Sequence, residues 1–169
     1  MELFFMRHAE AERRERYSND HQRPLTEQGR QTQCLVARAL VSVLQPLHHL
    51  LSSPLVRARQ TADIVAAALP FAGQVEETTV LGADCTAGAV LRLLQGYPRD
   101  ARILGVGHEP DMSRLSALFL DGGGHSTIAF QPGAIIGLAF QGYPEPGRGT
   151  LRFFLRPTDL LPMIAGMGD

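Results

Sequence analysis

The apolar run Leu3-Phe4-Phe5-Met6 ends abruptly in Arg7 and His8, and this junction constrains the chain more than any other stretch. A run of this length reads as a buried β-strand. Strands of α/β proteins deliver functional groups at their carboxyl ends. Here the delivered pair is a guanidinium beside an imidazole. A guanidinium grips phosphoryl oxygens bidentately, and a neutral imidazole nitrogen can attack phosphorus. A second run, Ile103-Leu104-Gly105-Val106-Gly107, is small and apolar, as central parallel strands are, and it also ends in a histidine, His108.

The segments around these strands alternate in type. Residues 11–21 are polar and charged and read as a solvated loop, one that can also line a site at the end of the first strand. Thr26 is a good helix N-cap with Glu27 in the first turn, and Leu35, Val36, Ala39, Leu40, Val43 and Leu44 keep helical spacing up to Pro46. A strand is expected over 49–52, a helix from about Leu55, a short strand within 75–81 and a helix over 87–95. A further helix should open at Pro110 or Asp111 and run through Leu120. Strands are then expected over 127–130, 134–140 and 151–155, with the Pro- and Gly-rich segment 143–149 as a hairpin loop. The tail from Pro157 has no strong period and is expected to pack loosely. Strands alternating with helices imply an α/β fold, a three-layer α/β/α sandwich on a mostly parallel sheet. At 169 residues, one domain spanning 1–169 is expected.

Charge and composition exclude several classes. A net charge of −1 argues against general nucleic-acid or membrane-surface binding. All 16 basic residues are arginine, so an anion site must use Arg, His or backbone amides. Cys34 and Cys85 are too few for a disulfide scaffold and lack metal spacing. As free thiols they suggest a reducing compartment. The first apolar run stops at Arg7, too soon for a secretory signal, so the cytoplasm is the expected location. His21, His48, His49 and His125 have no motif support, and no third ligand stands near His48-His49 at metal spacing. Arg59 reads as a surface residue, Arg13, Arg14 and Arg16 as a solvated face, and Gly122-Gly123-Gly124 as a flexible connection.

Four segments occur in a familiar order: Met6-Arg7-His8-Ala9; Arg23-Pro24-Leu25-Thr26 with Gly29; Ser52-Ser53-Pro54 with Arg57-Ala58 and Gln60-Thr61; and Val106-Gly107-His108. In this order and spacing the chain resembles the histidine phosphatase (phosphoglycerate mutase-like) superfamily, and within it the small SixA-type phosphohistidine phosphatases. The resemblance runs to about Arg156. Ala9 departs from it, since most of the superfamily has glycine there, although the small branch often has alanine.

The resemblance implies a phosphoglycerate mutase-like fold and a division of roles. His8 is the nucleophile that forms a phosphohistidine intermediate. Arg7 and Arg57 hold the phosphoryl oxygens, His108 is a further donor, best as a cation or with a proton to give, and Arg23 points into the phosphate pocket. No metal or other cofactor is implied, because arginines and a histidine supply the positive charge that phosphoryl transfer needs. His8 must be neutral at its attacking nitrogen, so its other nitrogen should donate to a backbone carbonyl. The general acid is open among Asp84, Glu12, Asp20 and Glu109. The chain has no room for a lid around 66–75. An open site and a missing strong acid suit phosphohistidine on another protein, such as a histidine phosphotransfer domain of a two-component relay. The alternatives are a phosphatase of small phosphomonoesters and a non-catalytic phosphate-binding module.

Overall fold

Strand β1 (Glu2–Arg7) sends alternate side chains into two different cores. Leu3 and Phe5 join Leu51, Ile103, Phe119, Ile136 and Leu138 on one face of the sheet. Phe4 and Met6 join Leu50, Leu104, Val106 and Ile135 on the other. A strand buried on both faces needs an unbroken apolar run, and this is why residues 3–6 do not alternate with polar ones. The computed structural model describes residues 1–82, 85–123 and 127–165.

The other strands are β2 (His49–Ser52), β3 (Val75–Glu77), β4 (Arg102–Gly107), β5 (Ile135–Ala139) and β6 (Thr150–Leu155). They form one six-stranded sheet in the order β3-β2-β4-β1-β5-β6. The first four in that order run parallel, while β5 and β6 are antiparallel additions at one edge. The helices are α1 (Glu27–Ala39), α2 (Val41–Leu44), α3 (Val56–Ala68), α4 (Ala87–Leu94), α5 (Asp111–Asp121) and α6 (Pro157–Ala165). Val36 and Ala37 of α1, Ala58, Ala62 and Val65 of α3 and Leu160 of α6 pack with Phe4 and Met6. Val90 and Leu94 of α4, with Met112, Leu115 and Phe119 of α5, pack with Leu3 and Phe5. The architecture is therefore the expected three-layer sandwich. No helix among the described residues is long and apolar enough to cross a membrane.

Several local expectations are corrected. The helical pattern over 26–44 is two helices, because Leu40 caps α1 and opens α2 with a ψ of −6°. The buried line follows Gly29, Gln33, Val36, Ala37, Leu40 and Leu44, leaving Leu35 40% exposed. Residues 127–130 form no strand. The β5 strand that follows pairs with β1 and β6, so a hairpin between 127–130 and β5 has no open edge of β5 to use. The described part of the tail, residues 157–165, is helical where loose packing is expected. Pro157 starts α6, where a missing N–H costs nothing, and Leu160 is buried. Gly122 is less a flexible link than a helix cap. Its φ of +75° ends α5 in the left-handed conformation that glycine adopts without strain. Gly124 and His125 lie outside the described residues.

The N-terminus of α1 is locked to the segment that follows His8. Thr26 donates its N–H to the Glu10 carbonyl at 3.0 Å, and its hydroxyl accepts the Gly29 N–H at 2.8 Å. A Cβ at Gly29 would lie 2.2 Å from the Glu10 carbonyl oxygen. Ordinary helix propensity would make Gly29→Ala stabilising by about 1 kcal/mol. The backbone collision reverses the sign: urea unfolding should show a loss of about 1–3 kcal/mol.

Candidate active site

The parallel pairing of β1 with β4 aligns Arg7 with Gly107. The next residues on the two strands, His8 and His108, therefore emerge side by side. The His8 N–H continues the ladder to the Gly107 carbonyl at 3.0 Å, and the two imidazole centroids are 5.1 Å apart. After β1 the chain passes to α1 on one face of the sheet, and after β4 to α5 on the other. Helices departing on opposite faces leave a crevice at the strand ends, the general location of ligand sites in open α/β sheets. Both histidines are buried there, 8% and 7% exposed.

The hydrogen bonds of His8 settle its tautomer. Nδ1 lies 2.7 Å from the Ala9 carbonyl oxygen, which can only accept, so Nδ1 carries the proton. Nε2 accepts from the Nε–H of Arg57 at 3.2 Å, so its single lone pair is directed at that guanidinium. Burial, and secondarily the positive surroundings of His108, Arg57 and Arg7, push the His8 pKa down to about 3, against the Ala9 hydrogen bond that raises it. His8 is thus a neutral imidazole protonated on Nδ1, with Nε2 unprotonated beside Arg57.

Arg57 and Arg7 act on this ring directly, and Arg23 and Arg14 join Arg57 through Asp20. Arg57, on the first turn of α3, is 5% exposed and turns its Nε toward His8. Its terminal nitrogens donate to Asp20, Nη1 to the carbonyl oxygen at 2.9 Å and Nη2 to Oδ2 at 3.0 Å. Arg23 Nε donates to Asp20 Oδ1 at 2.8 Å, and its Nη1 to the Glu12 carbonyl at 3.1 Å. Arg14 Nε stands 3.3 Å from Asp20 Oδ1. Arg7 is half-buried. Its Nη1 donates to the Phe130 carbonyl at 2.7 Å, while its Nε is buried with no partner. This accounts for the course of residues 127–130.

His108 Nε2 is 2.8 Å from the Ser53 hydroxyl, and its Nδ1 is buried without a partner. The Ser53 hydroxyl accepts the Leu55 N–H at 3.3 Å and can give its own proton to Nε2, an arrangement in which Nδ1 carries the histidine proton. Burial, reinforced by Arg57, pushes the His108 pKa down to about 4. Burial thus disfavours the cationic form of His108 and favours the neutral ring. Arg7 Nε and His108 Nδ1 are both buried with no partner among the described residues, the kind of unpaired polar group that a bound oxyanion can satisfy.

The structure brings His8, Arg7, Arg57, His108 and Arg23 together. Of the acid candidates, Asp20 joins them, but as a carboxylate: burial would raise its pKa, and Arg23, Arg57 and Arg14 together hold it below the usual range. Glu109 accepts from the Ser113 N–H and hydroxyl. The Glu12 side chain pairs with Arg16 at 3.1 Å. Asp84 lies outside the described residues. Sequence reasoning assigned no role to Ser53 or Thr61. Thr61 accepts the Ala9 N–H at 3.0 Å and donates to the Arg57 carbonyl at 2.7 Å, tying the nucleophile's loop to α3. The signal was present in the motif, since Ser53 immediately follows a strand that pairs with β4. His48 and His49 are elsewhere, bonded to the Arg102 N–H and to Glu76.

Known proteins share this arrangement of elements. The family model described as "Histidine phosphatase superfamily (branch 1)" matches residues 3–81. An uncharacterized protein of Picosynechococcus sp. strain PCC 7002 is 36% identical over 140 residues, 82% of this chain and 84% of the relative. Among solved structures, the protein histidine phosphatase SixA, complexed with tungstate, superposes with a TM-score of 0.81 at 29% identity, over 95% of this chain and 99% of that one. A phosphoserine phosphatase of Entamoeba histolytica, in complex with 3-phosphoglyceric acid, superposes at 0.66 with 20% identity, over 95% and 99% of the two chains.

The two depressed histidines make stability pH-dependent. Unfolded histidines titrate near 6.5, the folded ones at about 3 and about 4. Between these values the unfolded chain binds more protons, so stability is full above pH 6.5 and falls as pH drops toward 4. His108→Gln should remove up to one proton from this dependence, about 1.4 kcal/mol per pH unit. Urea unfolding of both proteins from pH 7 to 4 measures the difference in slope.

Proposed function

Because the chain belongs to the histidine phosphatase superfamily, we propose that it is a metal-independent phosphatase acting through a phosphohistidine formed on His8, with phosphohistidine on a protein as its substrate. The observation that carries this reading is the His8 ring itself, with Nδ1 pinned by the Ala9 carbonyl and Nε2 unprotonated beside Arg57. In the first step Nε2 bonds to phosphorus as the substrate's P–N bond breaks, and the leaving imidazole takes a proton from solvent water. In the second, water attacks phosphorus, the Nε2–P bond breaks, and inorganic phosphate leaves. Arg7 Nε and His108 Nδ1 are the unpartnered donors for the oxygens on which charge develops. Arg57 and Arg23 complete the positive wall.

Two features support a protein-borne phosphohistidine. Residues 69–74, between α3 and β3, are the whole connection there and leave no room for an inserted lid, which favours a substrate presented from outside over an engulfed metabolite. No carboxylic acid among the described residues is placed to donate a proton, since Asp20 is held as an anion and Glu109 serves Ser113. An imidazole leaving group needs less help from an acid than an alkoxide does. A histidine phosphotransfer domain of a two-component relay fits these requirements. The second reading, a phosphatase of small phosphomonoesters, is favoured by the fold shared with a phosphoserine phosphatase.

The test is a trapping assay with radiolabelled phosphohistidine protein, quenched early. Wild type should carry label that survives base and is lost in acid, and His8→Ala should carry none. Turnover should fall by roughly three orders of magnitude or more in His8→Ala, and by about 10²–10³ in Arg7→Ala. Equal turnover in wild type and His8→Ala would exclude the mechanism. Hydrolysis of p-nitrophenyl phosphate without any of phosphohistidine protein would leave the mechanism and replace the substrate.

A further inference from the structure

Arg57 is the cation nearest the proposed nucleophile, yet all three of its nitrogens are engaged within the protein. Its terminal fork, the part that grips oxyanions bidentately, is filled by Asp20 through one carbonyl and one carboxylate oxygen. The other carboxylate oxygen takes Arg23, with Arg14 close by. A single carboxylate therefore pairs with three guanidiniums at the mouth of the crevice and leaves the cluster positive. A phosphoryl group has no free fork on Arg57 until Asp20 leaves it.

The segment carrying Asp20 is built to leave. Residues 11–23 form a strap whose ends are brought together by the bridge between Ala11 and Leu25. No residue of the strap is buried, so it adds nothing to either core. Its recorded ties to α3 are the two bonds from Arg57 to Asp20, which a competing anion could replace one for one.

We propose that Asp20 is an internal stand-in for the phosphoryl group: its carboxylate occupies the Arg57–Arg23 seat, and substrate binds by displacing Asp20 from it while Arg23 stays. This deepens the reading of Arg57 as a phosphoryl-binding residue and rests on it. The consequence is selectivity. A ligand's apparent affinity is divided by the fraction of molecules with the seat vacant. A dianionic phosphoryl group, with several oxygens for the fork, exceeds a carboxylate of the chain's own. A second carboxylate or other monoanion only matches it and is turned away.

Inorganic phosphate is the probe, with its dissociation constant measured by calorimetry and its inhibition constant against p-nitrophenyl phosphate. Asp20→Asn keeps the side-chain shape and removes the competing charge, and should bind phosphate about tenfold more tightly than wild type. Asp20→Glu restores the charge and should return to within about twofold of wild type. Unchanged or weaker phosphate binding in Asp20→Asn would overturn the proposal, because Asp20 would then serve to position Arg57. Tightening in Asp20→Glu equal to that in Asp20→Asn would overturn it too, since charge would not be the cause. Tighter phosphate binding in Asp20→Asn, with p-nitrophenyl phosphate left intact by wild type, would keep the stand-in and remove the phosphatase reading. Hydrolysis without tightening would do the reverse.

Discussion

The pairing of β1 with β4 is the constraint on which everything at the crevice depends. Two parallel strands in register from Glu2↔Arg102 to Arg7↔Gly107 deliver two histidines to one place. A slip of one residue would turn Leu3, Phe4, Phe5 and Met6 each to the opposite core. It would also separate the imidazoles by a residue's rise. The glycines of β4 belong to this fit. A Cβ at Gly105 would stand 3.3 Å from Leu81, and one at Gly107 only 2.6 Å from Met112, so that face of the strand is close-packed against its own neighbours. The register is thus fixed by the hydrophobic interior, and the geometry of the site comes with it.

The electrostatics follow from the choice of cation. In a chain without lysine, every fixed positive charge is a guanidinium that does not give up its proton. When imidazoles are buried among such groups, only they can lose charge, and both are discharged. Neutrality is what the proposed role of His8 requires, and with both rings neutral no charge repulsion acts across the 5.1 Å between them. The surrounding arginines do not repel one another apart, because Asp20 accepts from two of them and pairs with a third.

Much of this could be read in the residues, and the limits of that reading have physical causes. His8, Arg7, Arg57, His108 and Arg23 stand at strand ends or helix starts, where local pattern and placement coincide. The His8 tautomer followed from the chemistry asked of it, and the Ala9 carbonyl supplies it. Asp20 could be named only as one acidic residue among several, since its partners are Arg57, far away in sequence, and Arg23 on the next segment. Local periodicity does not report such pairings. The segment 127–130 looked like a strand because its residues suit one. Whether a sheet edge is free to receive it is a tertiary fact. Which of its two expected forms His108 takes is also a tertiary matter, as burial outweighs the attraction of any one carboxylate.

The strap has a bearing on how such a protein can change. Because none of its residues is buried, lengthening it between Arg13 and Asn19 leaves both cores untouched and adds only the entropy of closing a longer loop, about 0.6 kcal/mol for each doubling of length. The mouth of the crevice can thus be remodelled almost independently of folding stability. A new rim, with new preferences for what approaches His8, is within reach of insertion and drift in a segment that the fold itself does not need.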